Sequence, residues 1–142
     1  MHEIKRVNEI DIENYIKNSK DLIIMVTSSY CQEYRQGTYT CLMLYQDHRK
    51  VITGVLQDMP SANLITVLGV LEAVKHIKLT GVNVCVISYI ALGFKGAEVG
   101  NGLYVDEVND IVKVIAAQGN TLSSLAVVDG KDVIKKMIAE EQ

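Results

Sequence analysis

Ser28 and Ser29, the histidines His2, His48 and His76, and the cysteines Cys31, Cys41 and Cys85 are the side chains whose types suit nucleophilic catalysis or metal binding. Their spacing supports neither. The two serines lack the strand–turn–helix glycine context of a nucleophile elbow, and no histidine is set by sequence to activate them. The cysteines are scattered without a CxxC pair and share no ligand spacing with the histidines, which argues against both zinc and a disulfide framework. Buried or half-buried free thiols are expected. His76, beside Lys75 and near Lys78, reads as a solvated helix residue. Gly93, Gly96, Gly100 and Gly102 lack the GK[ST] ending of a P-loop and the GxGxxG that follows a strand, so they read as a flexible connection. No cofactor is implied. Carboxylate chemistry fares no better at first sight: the windows Leu22–Cys31, Pro60–Leu71 and Val84–Leu92 contain no aspartate or glutamate.

The elements that would position these residues follow from hydrophobic periodicity. The chain has 142 residues, 49% hydrophobic and 22% charged, with one proline. That suits one folded domain with a real core and no disordered tract. Its longest apolar runs are too short to span a bilayer, and its first residues lack the apolar centre of a signal peptide, so a cytoplasmic protein is expected. A formal net charge of −3 gives no general attraction for nucleic acid, although a local basic face is compatible with it.

Residues 1–20 read as a helical extension, capped by Asp11 and carrying Ile12, Tyr15 and Ile16 on one stripe. The domain proper is expected over 21–142. Leu22–Ser28 reads as a strand, and the polar segment Tyr30–Gly37 as a loop. Thr38–Gln46 and Val51–Gln57 read as a hairpin turning through Asp47-His48-Arg49-Lys50. A helix from Pro60-Ser61 to about Lys78 follows, with Leu64, Val67, Leu68, Leu71 and Val74 at helical spacing. Val82–Ile87 is a continuous apolar strand suited to burial on both faces. Gly93–Gly102 has room for a short helix. Next come a helix with Asp106 as its cap, a strand at Leu122–Val128, and a last helix carrying Val133, Ile134, Met137 and Ile138 inward. The expected architecture is α/β: a five-stranded mixed sheet, a three-strand antiparallel meander plus parallel strands, with helices on both faces.

This order, with three of its segments, resembles the ribonuclease H family. Asn63-Leu64-Ile65-Thr66-Val67-Leu68-Gly69-Val70-Leu71-Glu72-Ala73-Val74 is similar to the family's first long helix, which opens with a catalytic glutamate. Val84-Cys85-Val86-Ile87-Ser88-Tyr89-Ile90 is similar to the strand ending in a TDS triplet, and Met25-Val26-Thr27-Ser28-Ser29 to the first strand with its TDGS. The resemblance implies a ribonuclease H-like fold from about Asp21 onward. It also implies a site that in the family holds two divalent metals and cuts the RNA strand of RNA–DNA hybrids. Such ions need clustered carboxylates. The resemblance sets these positions at Ser28, Asn63 and Ser88 or Tyr89, none of them acidic. Glu72 cannot substitute, because nine residues along a helix move it about 13 Å and to the opposite face. A fourth family carboxylate has a counterpart in Asp132, which equally suits the helix dipole. Asp58 suits a turn.

The expectation is therefore a pseudo-nuclease without metal or catalytic residues. It would recognise an RNA–DNA hybrid or duplex, or act as a protein-interaction module, possible homodimerisation included. In the family, the loop after the first strand and the start of the long helix touch the nucleic-acid backbone. The corresponding residues are Gln32, Arg35, Gln36, Asn63 and Thr66, all able to hydrogen-bond phosphate or sugar. Arg35, Arg49, Lys50 and Lys95 are the cations available to phosphate. Tyr30, Tyr34, Tyr39 and Tyr45 gather near the meander and suit a protein interface. The alternative is a divalent-metal-dependent endoribonuclease with a rearranged carboxylate set of Asp58, Asp129 and Asp132.

Overall fold

The computed structural model describes residues 4–8, 11–89, 104–128 and 132–141. In chain order the elements are β1 (Ile4–Val7), α1 (Ile12–Lys17), β2 (Leu22–Cys31), β3 (Gln36–Tyr45), β4 (His48–Leu56), α2 (Ala62–Val74), β5 (Asn83–Ser88), α3 (Val105–Ala117), β6 (Thr121–Val128) and α4 (Asp132–Glu140). The sheet order is β1-β6-β5-β2-β3-β4. β2, β3 and β4 form the antiparallel meander, while β2–β5, β5–β6 and β6–β1 are parallel.

The five expected strands are present and a sixth, β1, is added beside β6. The N-terminal twenty residues are thus more than a helical extension: they supply a strand to the sheet, and α1 packs Ile12, Tyr15 and Ile16 into the core beneath it. The helix at Asp11 is short, and Asp11 makes no side-chain cap bond.

Period-two alternation divides the strands between two cores. On β2 the even residues Leu22, Ile24 and Val26 face α2 and α3, together with Val84 and Val86 of β5. The odd residues Ile23 and Met25 face α1 and α4, with Cys85 and Ile87. Helices accordingly cover both faces, and the central strands β2 and β5 are buried on both sides, which accounts for their unbroken apolar runs. Each fully buried aliphatic side chain contributes about 1.5–3 kcal/mol relative to exposure. The register slips once, between Val84 and Cys85 against β6, where Ser123 is left over. Its hydroxyl shares one proton between two acceptors, Asp21 Oδ2 at 2.9 Å and the Val84 carbonyl at 3.1 Å.

Several boundaries differ from expectation for local reasons. Only the middle of Tyr30–Gly37 is loop: Tyr30 pairs with Gly37 and Cys31 with Gln36, leaving a turn at residues 32–35. The second hairpin turns in two residues, Gln46 and Asp47, with Gln46 at φ 54. His48, Arg49 and Lys50 therefore lie on β4 and not in the turn. The long helix begins after its cap Ser61, whose Oγ accepts the Leu64 N–H at 3.3 Å, and ends at Val74. α3 starts at Val105, so Asp106 sits in its first turn and serves the dipole without capping. The segment Gly93–Gly102, and with it the suggested short helix, lies outside the described residues.

Tyr39 organises the meander. Its ring lies over Gly54, its cross-strand partner on β4, and against Gly69 of α2. A Cβ on Gly54 would come 2.6 Å from Tyr39 Cζ, and one on Gly69 would come 2.8 Å from Tyr39 Cβ. Both glycines are there so that the backbone can approach the ring. Among the described residues no helix is long and apolar enough to cross a membrane.

Candidate functional site

The carboxyl ends of β2 and β5 lie side by side. From β2 the chain turns to β3 on one side, and from β5 it proceeds through α3 to β6 on the other. In open α/β sheets this switch point is where a crevice forms and ligands bind. Ser28, the start of α2 and Tyr89 all lie at this end.

The geometry there is a closed hydroxyl network. Ser28 Oγ and Thr66 Oγ1 are 2.8 Å apart, and the Thr66 hydroxyl donates to the Ala62 carbonyl at 2.9 Å. With Thr66 donating to Ala62, the Ser28 hydroxyl donates to Thr66. The Tyr89 hydroxyl donates to the Ser28 carbonyl at 3.0 Å. Ser88 is buried on β5, opposite Val26 on β2 and Val127 on β6. Strand β2, helix α2 and the end of β5 thus meet where the resemblance sets the metal-binding positions. The α2 residue that reaches Ser28 is Thr66, one turn beyond Asn63.

Thr66 is fully buried. It cannot present its hydroxyl to a phosphate or sugar, which corrects its expected role as a nucleic-acid contact. Its bond to Ser28 ties α2 to the sheet. Asn63 is half-buried on the first turn of α2, and Gln36 is exposed at the start of β3.

Gln32 and Arg35 do come together. With Tyr30 and Pro60 they line a shallow cleft of about 300 Å³. The turn that carries them is fixed by two bonds to the segment before α2. Met59 N–H donates to the Arg35 carbonyl at 2.8 Å, and the Tyr30 hydroxyl donates to the Met59 carbonyl at 2.7 Å. Arg35 itself is at φ 51. Tyr30 and Pro60 were missed as lining residues because strand pairing through Tyr30 was not expected. The start of α2 is further held by Ser61, whose Oγ lies 2.8 Å from the Tyr104 hydroxyl at the head of α3.

Asp58 is exposed in the connection before α2 at φ 57, and Asp132 is exposed at the first position of α4. Asp129 lies outside the described residues, as does Lys95. Among the described residues no three or more histidine, cysteine, aspartate or glutamate side chains gather where they could hold a metal ion.

The thiols differ from one another. Cys41 and Cys85 are buried, but Cys31, expected to be at least half-buried, is exposed at the end of β2. Burial pushes the Cys41 thiol up to about 12. It raises Tyr15 and Tyr39 as well, with Glu72 and Cys41 adding to the effect on Tyr39.

No protein-family model matches this sequence, and no curated protein matches it significantly.

Proposed function

We propose that this chain is a ribonuclease H-like domain that binds without cutting. The observation that supports this reading is the Ser28–Thr66 hydroxyl pair. Two neutral groups, bonded to each other and to a helix carbonyl, occupy the meeting point of the strand and helix that would have to present carboxylates. Hard divalent ions need anionic oxygen ligands at such a point, and two ions close together need several. The arrangement of meander, long helix and parallel strands is consistent with the resemblance.

The ligand in this reading is the backbone of an RNA–DNA hybrid or duplex. The cleft holding Gln32 and Arg35 offers an amide and a guanidinium on a braced turn, suited to phosphate and sugar oxygens. Incubation with an RNA–DNA hybrid and Mg²⁺ or Mn²⁺ is expected to leave the substrate intact. Cleavage abolished by Asp132→Ala would overturn the reading in favour of an endoribonuclease. A metal-free titration is expected to show affinity that falls with salt and weakens in Arg35→Ala.

A second reading is favoured by a separate observation. Tyr34 in the β2–β3 turn is 68% exposed and Val55 on β4 is 63% exposed. Large apolar groups left in solvent suit contact with another protein. Absence of hybrid binding at low salt would leave this reading standing.

A further inference from the structure

At the end of the sheet opposite the switch point, the segment after α2 and the β3–β4 hairpin flank a cleft of about 420 Å³, a volume in the range of small-molecule sites. The hairpin side follows from register. Met43 pairs with Lys50 and Tyr45 with His48, and cross-strand partners share a face of the sheet. Met43 and Tyr45 belong to the core that packs on α2, so Lys50 and His48 stand on that side too. On the helix side, Ile77 is buried and Leu79 is 41% exposed, between and beside the exposed His76 and Lys78. Leu22, Met43 and Ile77, all buried, supply an apolar floor.

The charge around this cleft is one-sided. The chain carries 17 acidic residues against 14 lysines and arginines. Yet the described residues lining the cleft include no aspartate or glutamate, while His48, Lys50, His76 and Lys78 all line it. Arg49 lines it as well but is engaged elsewhere: its Nε lies 3.7 Å from Glu141 Oε1, and its Nη1 donates to the Gln46 and His48 carbonyls. Among the described residues neither Lys50 nor Lys78 has an ion-pair partner. The carbonyls at the end of α2 do not offset these cations, because they are occupied. Those of Glu72, Ala73 and Val74 accept from His76 Nδ1, the His76 N–H and Gln118 Nε2.

We propose that this cleft binds a small amphipathic carboxylate of the fatty-acid class, its chain on the apolar floor and Leu79, its head among the lysines and histidines of the rim. The floor favours a chain in proportion to the area it takes from water, and the rim selects the sign of the head. The site is separate from the cleft of Gln32 and Arg35. Leu22 and Tyr30 lie near opposite ends of β2, about 25 Å apart, so this inference stands independently of the nucleic-acid reading.

Calorimetric titration of the whole chain with octanoate, kept below its micelle concentration, tests the site. Saturable binding is expected. Acetate, which is the head alone, and octanol, which keeps the tail without the charge, should each bind at least about tenfold more weakly, and octyltrimethylammonium should not bind. Lys50→Glu and Lys78→Glu, both at exposed positions, should each weaken octanoate about threefold, and the two together at least about tenfold. Circular dichroism checks that each variant is folded. Octanol binding as tightly as octanoate, octanoate binding indifferent to the double substitution, or no saturable binding overturns the proposal. Sedimentation of the protein with phosphatidylglycerol vesicles, without saturable octanoate binding, overturns it in favour of a membrane surface.

Discussion

Thr66 Oγ1 stands 2.8 Å from Ser28 Oγ, and the pair joins α2 to the central strand β2. Because Thr66 is fully buried, its hydroxyl has no water to fall back on. Thr66→Val keeps the shape and strands the Ser28 hydroxyl with only the Ala62 carbonyl at 3.5 Å. The substitution is expected to cost about 1 kcal/mol. A double-mutant cycle with Ser28→Ala in urea denaturation should show a coupling of about 0.5–1.5 kcal/mol. Additive effects would show that the pair contributes nothing.

Gly54 makes room for the hydroxyl end of Tyr39 and Gly69 for its Cβ end. Gly54→Ala and Gly69→Ala should each destabilise by about 1–3 kcal/mol through overpacking. In a Tyr39→Leu background the penalty at Gly54 should shrink, since the ring it collides with is gone. Thermal unfolding of the four-member cycle reads this directly; an unchanged penalty would locate the strain elsewhere.

Asn120 is a buried clamp across the entries to β5 and β6. Its Oδ1 accepts the Val82 N–H at 3.0 Å, and its Nδ2 donates to the Leu79 carbonyl at 2.9 Å. Asn120→Ala leaves both backbone groups without that partner and is expected to cost about 1–3 kcal/mol. Asn120→Asp retains the acceptor and loses the donor, so it too should destabilise in chemical denaturation at neutral pH.

Thiol chemistry should separate the three cysteines. Exposed Cys31 is expected to label rapidly with a maleimide in the native protein, while Cys41 and Cys85 label only on unfolding. The raised Cys41 thiol also carries a sign for pH. The folded state holds this proton more tightly than the unfolded state, so the stability contribution is complete below the ordinary value of 9.0. It is lost as pH climbs toward about 12. Tyr15 and Tyr39 shift the same way. Urea midpoints should therefore fall from pH 8 to pH 10.5, and Cys41→Ala should flatten part of the slope. A midpoint that rises over that range would reverse the assignment.

Much of this architecture was readable from periodicity alone. The unbroken runs of β2 and β5 announced strands buried on both faces, and the helical spacing in α2, α3 and α4 survived with ends moved by a few residues. What escaped had physical reasons. Ile4-Lys5-Arg6-Val7 is too short to show alternation, and its partner Leu125–Val128 lies at the far end of the chain. Tyr30-Cys31 and Gln36-Gly37 look like loop by composition and are strand because each completes the other's ladder. Arg49 and Lys50 look like a turn by charge, yet the two-residue turn pulls them onto the strand. At the candidate site, the absence of acids was legible at once. Which helix residue would meet Ser28 was not, because one helical turn separates Asn63 from Thr66 and only packing chooses between them.

The parallel pairing of β1 with β6 sets an order on assembly. Ile4 pairs with Leu125, and nearly every described element lies between them along the chain. Loop closure over that span brings no reward until β2, β5 and β6 have already stacked. On that ground the strand that comes first along the chain is expected to pair last, sealing the sheet with its own beginning.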